Sequence, residues 1–321
     1  MKKVRKEISS QANVALQQQI LLTDDGLDRQ GHRRQQTDYI RSLQHSDDAR
    51  YLLMKDHDFA CSEDSVCLFS GKAMRDLKIS ISAALFIGLQ STMGDIPVFA
   101  VKAVNDLPLS EFQWLNLREL AIKISRPMAN LLTTAQGLLF WHDNNHYCNR
   151  CGHATAPTPA GHSRCCTNSG CSHETYPRLD PAVIVLVIRG EQCLLARGKM
   201  WPEKRFSCLA GFVEAGESIE DAVKREVYEE VGLDLDAIHY QASQPWPFPQ
   251  SLMLGFYATT QQHEMTFHDG EIIAADWYTA DQLATAIQKR ELLISSSLSI
   301  SFQLMDNWYL QRTGESLVNL L

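Results

Sequence analysis

The 321-residue chain has no long apolar run: its longest purely aliphatic stretch, "AVIVLVI" at 182 to 188, is seven residues, far short of the ~18 needed to span a bilayer. No membrane helix is expected. It also lacks a basic excess, with 30 Lys and Arg against 38 Asp and Glu and a net charge of −8, whereas a general nucleic-acid binder would present a basic face. A local basic patch stays open. The start, "MKKVRKEISSQANVALQQQ", has basic residues with no apolar segment after them, unlike a secretory leader. The last residues, "LVNLL", match no short address tag, and the expected location is cytoplasmic. No internal repeat is found. The 45% hydrophobic and 21% charged content describes a globular protein, and the length allows two domains, each with its own core.

What is present is unevenly spread. Residues 1 to about 50 are polar and weakly periodic, which predicts a loosely ordered start. Short apolar runs from "ARYLLMKDHDFAC" to "IPVFAVKAV" predict a β-rich region. Residues 110 to 141 switch to helical spacing, and two helices separated near Pro127 are expected. After the cysteines, "DPAVIVLVIRG" and "CLLARG" predict a strand pair, "SCLAGF" leads into a helix from Ser218 to Val231, and further strands and helices follow to about 312. This alternation describes a layered α/β domain. The expected parts are an N-terminal domain at 1–143, β-rich and then helical from about 110, a metal ribbon at 144–177 and the α/β domain at 178–321.

Nine cysteines are an odd number for a disulfide framework, and five of them fall between 148 and 171. Crowding of this kind points to metal. Cys148 and Cys151 in "CNRCGH" are two residues apart with Gly152 after them, a turn that lets two thiolates reach one ion. Cys166 and Cys171 form a second pair 15 to 20 residues on. Four thiolates fit one closed, tetrahedral, structural zinc site per chain. In the second pair Cys165 competes with Cys166, and His153, His162 and His173 are further candidates.

The segment "GFVEAGESIEDAVKREVYEEVGL", 211 to 233, is the most informative. Ser218 with Asp221 resembles a capping box, and Gly232 closes the helix where left-handed geometry is cheapest. At ~100° per residue, Ile219, Ala222, Val223, Val227 and Val231 make one apolar stripe. Glu226 and Glu230 fall inside it and Glu229 at its edge. A carboxylate on a packing face costs several kcal/mol unless neutralised. Divalent cations with a preference for oxygen, Mg²⁺ or Mn²⁺, would neutralise all three. Arg225 is placed to fix the preceding loop through Glu217.

With Gly211, Glu217, Arg225, Glu226, Val227, Glu229, Glu230, Gly232 and Leu233, the segment looks like a complete Nudix box. The resemblance implies an α/β/α Nudix sandwich, here after a zinc ribbon and a β-rich N-terminal domain, that hydrolyses a nucleoside diphosphate linked to another group. It implies that Glu226, Glu229 and Glu230 hold the catalytic cations with the carbonyl of Ala210. Glu271, six positions before Trp277 in "DGEIIAADWY", matches the family's additional acidic residue. The general base is either Glu230 or Glu271.

Ten residues past the box stands "SQPWPFPQS". Three prolines lacking donors exclude a central strand or a helix interior and leave a stiff holder for two aromatic rings. With "WLNLRE", "AQGLLFWH", the cysteine pairs and "YPRLDPAVI" in order, residues from about 110 to about 280 resemble the NADH pyrophosphatases. Residues 1 to 105 match no motif. The resemblance implies a substrate wall at Gln244, Pro245, Trp246, Pro247, Phe248, Pro249, Gln250 and Ser251, with Phe212 and Tyr176 as further contacts, and a homodimer. Stiff rings stack on the flat bases of a dinucleotide. The implied reaction is cleavage of NADH, and less readily NAD⁺, to the nicotinamide mononucleotide and AMP. Removal of NAD caps from RNA by the same chemistry is the alternative. A non-catalytic nucleotide sensor would be expected to have lost metal-binding glutamates, and none is lost.

Overall fold

The broken apolar runs of residues 50 to 103 become short strands. The computed structural model describes residues 16–23, 26–63, 65–103, 112–268 and 270–321. The chain falls into two units. One holds Asp180–Pro245 and Ser251–Leu321 with the amino-terminal segment up to Leu21, and the other holds Leu22–Leu179 with Trp246–Gln250.

In the second of these units, an eight-stranded sheet orders β1 (Leu27–Asp28), β6 (Leu85–Gln90), β7 (Ile96–Lys102), β2 (Arg50–Lys55), β3 (Asp58–Ser62) and β4 (Ser65–Val66). β5 (Phe69–Ser70) joins β2, and β8 (Gln113–Asn116) joins β3. Tyr51, Leu53, Phe86, Phe99 and Val101 build its core together with Ile40 of helix α1 (Thr37–Gln44) and Met74 of α2 (Gly71–Asp76). The expectation of a loosely ordered start therefore does not hold for Leu27–Gln44; residues 1–15 lie outside those described.

Two helices do fall within 110–144 and are separated just before Pro127, but the start of the stretch differs. Gln113–Asn116 is a strand, because it finds a non-local partner in Asp58–Cys61. Asn116 then caps the short helix α3 (Leu117–Leu120), its side chain accepting from the Glu119 amide at 3.1 Å. Pro127 sits in the first turn of α4 (Arg126–Asn144), where a missing N–H leaves nothing unsatisfied. Past α4 the chain forms a three-stranded ribbon, β9 (Thr155–Pro157), β10 (Arg164–Cys166) and β11 (Glu174–Thr175).

The other unit is a sandwich around the run "AVIVLVI". Strand β12 (Asp180–Arg189) turns back into β13 (Gln192–Gly198), pairing Ile188 with Cys193. The sheet order is β15 (Ala237–Trp246), β16 (Ser251–Thr259), β12, β13, β17 (Ile272–Thr279), with β14 (Leu209–Phe212) antiparallel to β12. Side chains alternate across a strand. Val183, Val185 and Val187 accordingly pack on one face against Ala222, Val223, Val227 and Val231 of α5 (Ile219–Val231). Ile184 and Leu186 pack on the other against Leu283 of α6 (Ala280–Gln288) and Phe302 and Trp308 of α7 (Ile300–Thr313). A strand buried on both faces reads as an unbroken apolar run. β15 is an edge strand, and Pro245 lies near its end, as the missing donor requires. Among the described residues no helix is long and apolar enough to cross a membrane.

Candidate active site

Helix α5 begins at Ser218, whose hydroxyl accepts from the Asp221 amide at 3.2 Å, and ends on Gly232 at φ +70°. These two stops fix the register of its acidic side chains. Val223, Val227 and Val231 go to the core and carry Glu230 inward with them; Glu230 is 6% exposed. Glu226 is partly buried and Glu229 faces outward, so the stripe read from the sequence holds.

Arg225 organises the approach to this helix. Its Nε and Nη2 donate to both oxygens of Glu217 at 2.8 and 3.0 Å, and its Nη2 donates to the Phe212 carbonyl at 2.9 Å. The Nη1 donates to Glu226 at 2.8 Å and to Glu229 at 3.0 Å. One guanidinium thus ties the loop after β14 to the helix. Glu217 is held below the usual carboxylate range, first by its hydrogen bonds from Arg225. Burial pushes Glu226 the other way; Arg225 opposes the rise, and the charges of Glu229 and Glu271 add to it. Gly211 lies against this side chain: a Cβ on it would fall 1.9 Å from the Glu226 carboxyl carbon, so the carboxylate would have to move.

Glu230 and Glu271 line one cavity of about 430 Å³ together with Ala210 of β14. Glu271 immediately precedes β17 and is exposed, and Trp277 is buried on the α5 face of the sheet. Three side chains that no sequence motif flags, Lys199, Met200 and Trp201, line the same cavity. Their signal in the sequence is a Met-Trp pair in a turn straight after a strand; Met200 is 91% exposed.

The cysteines form a separate cluster in the other unit. The sulfurs of Cys148, Cys151, Cys166 and Cys171 all lie within 4.8 Å of one another. Cys148 and Cys171 are 3.9 Å apart, and Cys151 and Cys166 3.4 Å. Four thiolates at ~2.3 Å from one ion stand about 3.8 Å apart, so this set fits a tetrahedral site. The Arg150 amide donates to the Cys148 sulfur at 3.4 Å, and Gly152 turns at φ +74°. Cys165 is excluded, since its thiol points to the carbonyls of Cys166 and Ser172. None of the three histidines joins the cluster. His162 donates its Nε2 proton to the Phe86 carbonyl at 2.7 Å.

A NUDIX domain model matches residues 178–295. The chain is 38% identical over 268 residues, 77% of its length and 83% of the relative's, to the "NAD-capped RNA hydrolase NudC" of Mycobacterium bovis (strain BCG / Pasteur 1173P2). This chain belongs to the Nudix hydrolases, in the NADH pyrophosphatase (NAD-capped RNA hydrolase) family. It is also 36% identical over 252 residues to the human "NAD(P)H pyrophosphatase NUDT13, mitochondrial", covering 73% of this chain and 69% of that one. A NUDIX hydrolase from Nitrosomonas europaea of solved structure is similar at 17% identity, over 53% of this chain and 94% of its own, with a TM-score of 0.41.

The aromatic stretch of this Nudix hydrolase is divided between the units, with Trp246–Gln250 in the one that carries the cysteines. There the Trp246 and Phe248 rings meet edge to face, 5.0 Å between centroids, and the Arg118 guanidinium lies 3.8 Å over Phe248. Gln136 donates to the Pro247 carbonyl at 2.6 Å. Gln244 does not present its side chain to a ligand. It is fully buried, its Nε2 donating to the carbonyls of Leu21 and Leu298 at 3.0 and 2.8 Å and its Oε1 accepting from the Ile300 amide at 2.8 Å. Ser251 is buried, Pro249 exposed and Gln250 partly exposed. Phe212 and Tyr176 are exposed at 59% and 58%, in different units.

Proposed function

We propose that this Nudix hydrolase cleaves the pyrophosphate of NADH, and less readily NAD⁺, to the nicotinamide mononucleotide and AMP. The observation that carries the proposal is that Glu230 and Glu271, from separate elements, share one cavity with Ala210. Glu226, Glu229, Glu230 and Glu271 with the Ala210 carbonyl would supply the all-oxygen ligands that Mg²⁺ or Mn²⁺ prefers; among the described residues only the four cysteines already lie within ligand reach of one another. The Glu226 carboxylate occupies the space that a Cβ on Gly211 would fill. Such an ion, when bound, neutralises phosphate oxygens and lowers the pKa of water.

The chain's own residues do the rest. Arg225 holds Glu226 and Glu229 in register, and Glu230 or Glu271 takes the proton of the attacking water. The water oxygen bonds to one phosphorus, the bridging oxygen leaves with the other phosphate, and the second water proton stays on the new phosphate. In the unit that carries the cysteines, Trp246, Pro247, Phe248, Pro249, Gln250 and Tyr176 are proposed as substrate contacts; in the hydrolase unit, Pro245, Ser251 and Phe212 are. Gln244 contributes by holding the strand.

The four thiolates are assigned to one structural zinc. We assign the parts as an N-terminal domain at 1–143, the zinc ribbon at 144–177 and the hydrolase at 178–321. A homodimer in the cytoplasm completes the proposal. The name of the 38% identical relative supports removal of NAD caps from RNA as a second reading.

Product analysis by chromatography after incubation with NADH and Mg²⁺ or Mn²⁺, beside a chelated control, tests the first reading. Metal-dependent AMP is expected. Capped RNA against free NADH at two salt concentrations separates the two, since phosphate contacts weaken steeply with salt.

A further inference from the structure

We infer that the turn Gly198–Trp201 is a substrate-recognition element of this active site, with Trp201 stacking on one base of the dinucleotide and Lys199 pairing with its pyrophosphate. The inference rests on the proposed NADH pyrophosphatase activity and deepens it.

Three observations converge on the turn. First, the ladder between β13 and β17 slips at Arg197/Gly198, where Gly198 meets Ile272. A bulge re-aims the side chains that follow it and is common beside active sites. Second, the turn is fastened to the acidic residue it faces: the Lys199 amide donates to the Glu271 carbonyl at 2.7 Å, and the Trp201 amide closes on the Gly198 carbonyl at 3.0 Å. Lys199 and Glu271 thus enter the cavity from a common backbone junction. Third, the cavity that holds Glu230 and Glu271 is lined also by Lys199, Met200 and Trp201.

The chemistry of that lining matches a dinucleotide. Among the described lining residues Lys199 is the cation, in the same cavity as two carboxylates. A pyrophosphate seated beside those carboxylates gains from a positive charge on its other flank. Trp201 is 40% exposed, with its indole folded back over Gly198, whose Cβ position lies 3.6 Å from the ring. Gly198 lets the indole approach the backbone closely, and the Arg205 guanidinium stands 5.9 Å from the ring centroid. A flat, pre-placed ring binds a flat base with little loss of side-chain freedom.

Steady-state kinetics on the full chain test this, with calorimetric binding of NADH in parallel, both with Mg²⁺ or Mn²⁺. Base stacking of this kind is worth about tenfold or more in affinity. Trp201→Ala should raise KM for NADH about tenfold with kcat within about twofold, and Trp201→Phe should restore most of it. Lys199→Met should lower kcat/KM, and Lys199→Arg should recover it. If the parent cleaves NADH and Trp201→Ala leaves both KM and binding unchanged, the inference is overturned while the activity stands. If the parent binds NADH without cleaving it and Trp201→Ala weakens binding, the activity falls and the recognition role holds. A parent that neither binds nor cleaves NADH overturns both.

Discussion

The four clustered cysteines and the four glutamates proposed as catalytic metal ligands are built in opposite ways. The sulfurs close on one another within 4.8 Å, held by tight turns and backbone amides, and leave no open position. The carboxylates are spread over a helix and a strand start: Arg225 braces Glu226 and Glu229, and Glu230 and Glu271 line a cavity of about 430 Å³. A closed set stabilises a fold, while an open set leaves coordination sites for water and substrate. The difference argues for one structural and one catalytic site.

The comparison breaks first, and with the largest effect, at the cysteines. Apparent binding energies of structural zinc run to about 10 kcal/mol or more. Chelation, or Cys166→Ser, should therefore unfold the ribbon and abolish metal stoichiometry by elemental analysis. Cys165→Ser should keep one zinc per chain. Equal loss in both variants would contradict the assignment of Cys166.

The carboxylates should respond the other way, in activity and not in stability. Glu230→Gln or Glu229→Gln should lower turnover of NADH on the order of a hundredfold or more, with the thermal midpoint near that of the parent. Activity within twofold would remove the metal assignment.

Acid should act on the unit that carries the cysteines. Burial lowers the His162 imidazole from 6.5 to about 4, and His142 is lowered too, again first by burial. His142 is pinned as the neutral ring, its Nε2 donating to the Gly161 carbonyl at 2.7 Å and its Nδ1 accepting from Arg164 at 2.7 Å. A histidine depressed in the fold contributes its stability above the unfolded value, near 6.5, and loses it as pH falls toward 4, because the unfolded chain takes the proton first. For His162 the loss is up to roughly 3 kcal/mol. Thermal midpoints between pH 7.5 and 4.5 should fall, and His162→Gln should flatten part of that slope.

The smallest expected effect sharpens the contrast most. Gly211→Ala places a methyl group on the Glu226 carboxylate and should cost about tenfold in kcat/KM, read against an unchanged zinc content.

Much of this was legible in the sequence because it is local. The cysteine pairs, the Ser218 and Gly232 stops and the valine stripe of α5 lie within about two dozen residues each, and periodicity alone orients Glu226 and Glu230. What was not legible is non-local. Gln113–Asn116 has helical spacing but becomes a strand because Asp58–Cys61 is there to pair with it. Gln244 resembles a wall residue, yet the carbonyls of Leu21 and Leu298 draw its amide inside. Cys165 and Cys166 are chemically alike, and only the pairing of β10 with β9 and β11 decides which thiol turns to the cluster. Lys199 and Trp201 join Glu271 through a ladder slip that no spacing announces.

The nine-rung parallel pairing of β12 with β16 joins Asp180 to Ser251 and Ile188 to Thr259, partners about 70 residues apart in sequence. Everything between them, including β13, the Nudix box, α5 and β15, lies in the loop this pairing must close. Long closures are slow, whereas the four cysteines span only residues 148 to 171. On a chain made from its amino end, the metal ribbon can therefore assemble while the hydrolase is still unfinished, and activity should be the last property to appear in a refolding time course.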